Sequence, residues 1–151
     1  VMIYSERIED IITCLRLPDT SKADINYQTA NMETIIEIAK SLFMFYWQDD
    51  VAAKFRKMLM IERYHNPKLN ELFEDLFING AIRHEEKIFC DLIQAKIIKK
   101  ENPHIIALRF YTPIFYLLQK YDTHPDMIEE ANEELTLMVQ EFCNTYGIKE
   151  D

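Results

Sequence analysis

Two Glu-x-x-His segments are the part of this chain whose residue types and spacing come closest to a metal site. They are Glu62-Arg-Tyr-His65 and Glu101-Asn-Pro-His104. Residues three apart share one face of a helix, where di-iron carboxylate bundles place a carboxylate and an imidazole on one metal. The second segment straddles Pro103, where a helix is predicted to begin, so its two ligands would not share a face. The two segments therefore do not form the matched pair of ligand sites that a di-iron centre needs. A di-iron carboxylate enzyme is the less favoured alternative.

Other catalytic signatures are absent from the sequence. It contains no Gly-rich phosphate loop, no Cys-x-x-Cys, no His-Glu-x-x-His and no serine in a nucleophile elbow. His65, beside Asn66-Pro67, is explained as a cation at a helix C-terminus. His84 with Glu85 and Glu86, and His124, are interpreted as surface residues. We therefore predict that the protein is not an enzyme and needs neither a metal nor a cofactor.

The composition favours a single all-α domain. A chain of 151 residues is one domain by length, and a domain of this size buries roughly 68 to 70% of its unfolded surface. Only 2 Gly and 5 Pro accompany 48% hydrophobic residues. Residues that form the turns of a sheet are therefore scarce, and this composition favours long helices.

The charge argues against direct nucleic-acid binding by this segment. Seventeen basic and 26 acidic residues give a net charge of -9, which repels phosphate backbones. The three cysteines are odd in number and lie in apolar helical contexts, as expected of buried thiols in a reducing compartment. No apolar run reaches the ~18 to 20 residues of a membrane span. A cytoplasmic protein without a membrane partner is expected.

The pattern of apolar residues predicts six helices, of which the first three are short or of ordinary length. The first runs from about Met2 to Leu17 and is stopped by Pro18. The second begins near Thr29 or Asn31 and is broken by Gln48-Asp49-Asp50. The third takes an Asp as its N-cap and ends at Asn66-Pro67.

The fourth predicted helix is unusually long. It begins at Pro67 and continues past Asn79-Gly80 for roughly thirty residues, about 45 Å, so a bend is expected at that pair. The fifth begins at Pro103 and should kink at the internal Pro113. The sixth follows Pro125 and ends at Gly147 as a left-handed stop.

The last two predicted helices carry an apolar pattern that indicates a homodimer. The fifth is apolar nearly all round, and a helix of this kind must be covered on every side. The sixth has apolar residues at three- and four-residue spacing, which is typical of a seam for another helix. A symmetric contact would be isologous. The predicted interface residues are Ile106, Phe110, Pro113, Ile114, Leu117, Ile128, Ala131, Leu135, Met138 and Phe142.

Aromatic and thioether side chains exceed what a simple bundle needs and suggest a small-molecule pocket. Apolar pockets with a few polar groups are the usual form of such sites, although stripes of this kind also form cores. Tyr46 and Trp47 would face Arg56 or Arg63 and combine a flat apolar wall with a cation. The candidate pocket residues are Phe43, Tyr46, Trp47, Phe55, Met58, Arg63, Phe77, Phe89, Phe110 and Tyr111.

The stretch from Phe55 to Phe73, the long helix after it, and Pro103 to Asp122 with Pro113-Ile-Phe-Tyr-Leu-Leu118 together resemble the C-terminal half of TetR-type transcriptional repressors. The resemblance covers about Val51 to the end. It implies a homodimer in which the last two helices form a four-helix bundle with their symmetry mates. It also implies an effector cavity among the earlier helices.

The helix-turn-helix headpiece of that family is missing from these residues. Residues 1–17 resemble the helix that connects headpiece to body, and residues 18–151 correspond to the effector-binding and dimerisation domain. DNA binding is then expected only through the headpiece of the parent protein. The resulting hypothesis is a transcription regulator whose small apolar or aromatic effector acts allosterically. The alternative is a helical protein-interaction module without a ligand.

Overall fold

The computed structural model describes residues 32–148, and this part of the chain is all-helical, as predicted. The predicted helix from Met2 to Leu17 lies outside the described residues. A π-helical turn, Glu74–Ile78, joins α3 to α4. The helices are α1 (Met32–Gln48), α2 (Asp50–Glu62), α3 (Pro67–Phe73), α4 (Asn79–Gln94), α5 (Pro103–Tyr121) and α6 (Ile128–Tyr146).

Side-chain caps begin three of these helices close to where the sequence predicts them. Asp49 accepts hydrogen bonds from the backbone N–H groups of Val51 and Ala52, at 3.2 and 2.9 Å, and so caps α2. Asn66 caps α3 and Asn102 caps α5, each directly before a proline at the first helical position. Proline lacks the N–H that would need a partner there, so the Asn-Pro pair is a strong local start signal.

The predicted long helix is continuous from α3 to α4, and its irregularity lies at the π-helical turn. A Cβ atom at Gly80 would overlap the carbonyl oxygen of Asp75, so only glycine fits at this position. Ile78, the residue before α4, has φ -114° and ψ -90°. The irregularity that the sequence predicts at Asn79-Gly80 is therefore a π-helical turn ending directly before that pair.

The turn also changes which face of the long helix is buried. Phe73 and Phe77 are both buried before α4 begins. In an uninterrupted α-helix the same face would continue through Gly80 and His84. A π-helical turn adds one residue, and the buried face of α4 accordingly continues at Glu85, Ile88, Phe89 and Leu92.

Two apolar clusters hold the helices together. The main core joins α1, α4, α5 and α6, and it includes Phe43, Trp47, Phe89, Phe110, Ile114, Leu117, Ala131, Leu135 and Phe142. The minor core lies around α2, α3 and the π-helical turn, and it consists of Ala52, Phe55, Leu59, Phe73 and Phe77. Tyr46, near the end of α1, packs against both clusters.

The ends of α4 and α6 meet in one short extended contact. Lys96 follows α4 with φ 60°, and the N–H of Ile97 donates to the carbonyl of Leu92 at 3.0 Å. This is the hydrogen bond of a Schellman motif. Gly147 is not the left-handed stop that we predict from the sequence, because it has φ -67° and ψ 140°. Its extended backbone instead forms an antiparallel bridge with Ile98.

Within residues 32–148, no helix is both long enough and apolar enough to cross a membrane.

Candidate functional site

The buried charged residues of the described chain are Arg56 and Glu85, and they define the candidate site. Both influence the hydroxyl of Tyr111 electrostatically, as does Tyr46. Asp122, at the end of α5, pairs with Arg56. We call these five residues the interior polar cluster. They come from α1, α2, α4, α5 and the residue after α5, so only tertiary packing brings them together.

Arg56 is fully engaged within the cluster. Its Nη2 and Nη1 donate to the two carboxylate oxygens of Asp122, at 2.6 and 3.3 Å. Its Nε donates to the backbone carbonyl of Tyr46 at 3.0 Å. A planar guanidinium suits this bidentate geometry. The side chain therefore ties α2 to the C-terminal ends of α1 and α5 and neutralises the Asp122 charge.

Tyr111 links α5 to the π-helical turn. Its hydroxyl donates a hydrogen bond of 2.6 Å to the carbonyl oxygen of Phe77. Burial raises the pKa of Tyr111 above its ordinary value, and the nearby Tyr46 and Glu85 add to this effect, which Arg56 opposes. The phenol is therefore neutral, and its proton is directed at the turn.

Glu85 lies in the core without a compensating partner. It is 4% exposed, and burial raises the pKa of its carboxyl to about 8. Within residues 32–148, no hydrogen bond or ion pair reaches this carboxyl. At pH 7 the group is therefore mainly a neutral carboxylic acid. The interpretation of Glu85 as a surface residue is wrong.

The sequence contains a signal for this burial that the helical pattern alone misses. If the predicted irregularity at Asn79-Gly80 is taken as the insertion of one residue, the inward face moves from His84 to Glu85. Neither the chemistry of Glu85 nor its neighbours in the chain reveal this. Gly80 is the informative residue, since its missing side chain permits the close approach of the Asp75 carbonyl.

The candidate pocket residues are divided between the two cores. Phe43, Trp47, Phe89 and Phe110 are buried in the main core, and Phe55 and Phe77 in the minor core, where Met58 packs against them. The Trp47 indole N–H donates to the carbonyl of Tyr121 at 2.9 Å. Arg63 lies away from Trp47, over the ring of Phe73 at 4.1 Å. Of the predicted set, the structure brings together Tyr46, Phe77 and Tyr111.

The predicted dimer residues lie mostly inside the single chain. Exceptions are Ile128, which is exposed, and Pro113 and Met138, which are half-buried. The helices of one chain thus cover most of the apolar surface of α5. The residues buried in this way are Ile106, Phe110, Ile114, Leu117, Ala131, Leu135 and Phe142.

An open apolar groove remains on the outer side of α5 and α6. Its volume is about 490 Å³. It carries one basic residue, Arg109, and one acidic residue, Glu141, among mainly apolar neighbours. Pro113, Met138 and Phe142 of the predicted interface contribute to it. The lining residues are Arg109, Pro113, Leu137, Met138, Glu141, Phe142, Thr145 and Tyr146.

The Glu-x-x-His segments lie on the surface. Glu62 and His65 are both exposed, and Glu101 is exposed before α5 begins. His104 has its Nδ1 3.3 Å from a carboxylate oxygen of Glu86. In the part of the chain that the structure describes, no group of three or more His, Cys, Asp or Glu is arranged to hold a metal ion.

Comparison of the chain with protein-family models, with curated proteins and with solved structures gave no match.

Proposed function

We propose that this chain is the ligand-sensing and homodimerisation body of a TetR-like transcriptional regulator, and that it controls DNA binding by a headpiece of the parent protein. The observation that carries the sensing role is the interior polar cluster, which includes the buried carboxyl of Glu85. A buried carboxyl without a partner lowers stability. Such groups are concentrated at functional sites, because a ligand can supply the missing interaction.

The location of the cluster supports a ligand site. It lies beside Phe77, where the main-chain geometry departs from the α-helix. Single π-helical turns within α-helices are frequent at functional sites. Tyr46 and Phe115, which contact Phe77 and Tyr111, are half-buried. These side chains offer the apolar walls and few polar groups that small-molecule sites need.

The groove on α5 and α6 supports the dimerisation role. An isologous contact through the groove would place its basic residue, Arg109, and its acidic residue, Glu141, from both copies in the interface. Leu137 is 61% exposed at this face and would be covered by the partner. This interface uses the outer face of the same two helices, in place of the residues that the chain buries within itself.

Helix α5 connects the two sites. Tyr111 faces the interior polar cluster, while Arg109 and Pro113, two residues to either side, line the groove. A ligand that binds one position of α5 better than another would therefore shift the arrangement of the two subunits. In the parent protein this shift would change the spacing of the headpieces and hence their affinity for DNA.

Native mass spectrometry of this chain at micromolar concentration tests the proposal. A dimer that carries a few hundred daltons of additional mass supports the regulator body. A monomer contradicts the dimerisation role. Loss of the additional mass in Glu85→Ala, with the dimer retained, would assign the bound molecule to the interior polar cluster.

A second function is favoured by the packing of the candidate pocket residues. Because most of them are buried in the two apolar cores, the chain also suits a helical interaction module that binds a protein partner and no small molecule. A dimer without additional mass, whose thermal stability no small apolar compound changes, would favour this module.

A further inference from the structure

The outer face of α2 carries large apolar side chains that the rest of the protein leaves exposed. Val51 is 52% exposed, Ile61 is 66% exposed, and Tyr64, two residues after the helix, is 79% exposed. These are three of the eight large apolar side chains that are exposed within residues 32–148. Single exposed apolar residues are ordinary, whereas neighbouring ones mark interaction surfaces.

Helical spacing makes these residues neighbours. Val51, Lys54, Met58 and Ile61 follow one another at intervals of three, four and three residues, so each lies next to the following one on the surface of the helix. Lys57 lies beside this row, four residues before Ile61. All of these side chains are exposed except Met58, which is half-buried. We call Val51, Lys54, Lys57, Met58, Ile61 and Tyr64 the α2 surface.

The inner face of α2 holds this surface in place. Phe55 and Leu59 are buried in the minor core. Arg56 donates hydrogen bonds to the carboxylate of Asp122 and to the backbone carbonyl of Tyr46. The helix is therefore anchored before any partner binds, and binding to its outer face costs little conformational freedom.

Tyr64 extends the surface beyond the end of the helix. The guanidinium carbon of Arg63 lies 5.5 Å from the centroid of the Tyr64 ring and 4.1 Å from that of Phe73. The Nε of Arg63 also donates to the side-chain oxygen of Asn70 at 2.9 Å. The Tyr64 ring thus packs against a positioned cation while most of it stays in water. Tyrosine is enriched among the residues that contribute most to binding at protein interfaces.

The charge around α2 is opposite in sign to that of the chain as a whole. The stretch from Asp50 to Lys68 holds five of the 17 basic residues and two of the 26 acidic ones, so it carries +3 and the rest of the chain -12. Lys54 pairs with Asp50, but the two side chains are 78% and 86% exposed. Exposed ion pairs of this kind contribute little free energy. Lys54 can therefore exchange this pairing for one with a partner.

We propose that the α2 surface binds an acidic amphipathic helix of another protein. Apolar residues at three- and four-residue spacing on that helix cover Val51, Met58 and Ile61, and the carboxylates beside them face the two lysines of the surface. A basic helix would instead place like charges opposite these lysines. This inference goes beyond the regulator function, since it depends on neither the interior polar cluster nor the groove on α5 and α6.

Two fluorescein-labelled peptides of about 20 residues, long enough to form a helix in water, test the proposal. Both carry leucine at three- and four-residue spacing, and the flanking positions hold glutamate in one peptide and lysine in the other. Fluorescence anisotropy measures their binding to the whole chain. We expect the glutamate peptide to bind at least about tenfold more tightly than the lysine peptide. Raising the ionic strength from about 0.01 M to about 0.15 M should weaken its binding, because salt screens the charges.

Variants of the α2 surface show where the peptide binds. Ile61→Glu should weaken binding of the glutamate peptide at least about tenfold, and Lys54→Glu should weaken it and reduce its dependence on salt. Lys87→Glu makes the same charge change at an exposed position of α4, and Tyr116→Glu replaces an exposed apolar residue of α5. Both controls should bind like the wild-type protein. Circular dichroism shows that each variant is folded.

Equal binding of the two peptides by the wild-type protein would overturn the inference, as would binding of neither. Unchanged binding of the glutamate peptide by Ile61→Glu and Lys54→Glu would also overturn it, because the contact would then lie elsewhere. If vesicles that contain phosphatidylserine bind the protein through Ile61 and the peptides do not, the surface serves an anionic membrane in place of a protein. The dimer mass is measured without these probes, so each of these outcomes leaves the proposed regulator function in place.

Discussion

The hydroxyl of Tyr111 in α5 donates a 2.6 Å hydrogen bond to the backbone carbonyl of Phe77, inside the π-helical turn before α4. A π-helical turn disturbs the regular pairing of carbonyl with N–H along the helix, so an outside donor is well placed there. This contact joins two elements that are 34 residues apart in the chain. It fixes the turn to the helix that lines both proposed sites.

Tyr111→Phe should therefore destabilise the protein. Removal of the hydroxyl leaves the buried Phe77 carbonyl without this donor, and the loss is about 1 to 2 kcal/mol in the free energy of unfolding. Urea denaturation followed by circular dichroism measures it. Tyr116→Phe, on the exposed side of the same helix, should change the free energy by less than about 0.5 kcal/mol. Equal effects of the two changes would argue against the role of the bond.

Gly80→Ala should be more damaging than its size suggests. The added methyl group would overlap the Asp75 carbonyl oxygen, and backbone on both sides must move to admit it. We expect a loss of more than about 2 kcal/mol, whereas alanine for glycine in an ordinary helix stabilises by about 0.5 to 1 kcal/mol. Asn79→Ala at the neighbouring exposed position is the control. A stabilised Gly80→Ala would contradict the close approach seen at the turn.

The ionisation of Glu85 should make stability fall as pH rises. Its folded pKa of about 8 lies above the ordinary value of 4.5, so the folded state binds more protons between these values. The contribution is fully present below about pH 4.5 and is lost as pH rises through about 8. Glu85→Gln should remove this dependence and gain stability relative to wild type as pH rises.

Urea denaturation of both proteins at pH 5, 7 and 9 measures this difference. Glu86→Gln is the matched control, because Glu86 is the next residue and is only half-buried beside His104. A constant difference between wild type and Glu85→Gln across these pH values would show that Glu85 is not buried as the acid.

Lys96→Gly should stabilise the end of α4. Lys96 has φ 60°, a left-handed conformation that strains a side chain and suits glycine. We expect a gain of about 0.5 to 1 kcal/mol in the free energy of unfolding. Thermal unfolding monitors it, and Lys100→Gly in the same loop should give no gain. A loss at Lys96 would mean that its side chain contributes more than the backbone strain removes.

Leu137→Glu should convert the proposed dimer to a monomer without unfolding it. Leu137 is 61% exposed and lines the groove on α5 and α6, so a carboxylate there is tolerated by one chain but not inside an apolar interface. Light scattering after size exclusion gives the mass. Ile61→Glu is the control, because Ile61 in α2 is 66% exposed and lies outside the groove. This change should leave the mass unchanged. If the Leu137→Glu variant is still a dimer, the interface lies elsewhere.

The helix starts are determined by residues adjacent in the chain, which is why the sequence alone predicts them. Asn66-Pro67 and Asn102-Pro103 each combine a side-chain acceptor with a residue that needs no hydrogen-bond donor. Asp49 acts in the same local way. The scarcity of glycine and the spacing of apolar residues determine the all-α class, since both act within a few turns of helix.

The identity of the buried groups was decided by tertiary structure, because it depends on the rotation of helices and on contacts far apart in the chain. One added residue at the π-helical turn moves the inward position of α4 from His84 to Glu85. Whether α5 is covered by its own chain or by a second copy depends on how α1, α4 and α6 pack around it. The spacing of apolar residues indicates that one face of a helix must be covered. It does not indicate which surface covers that face.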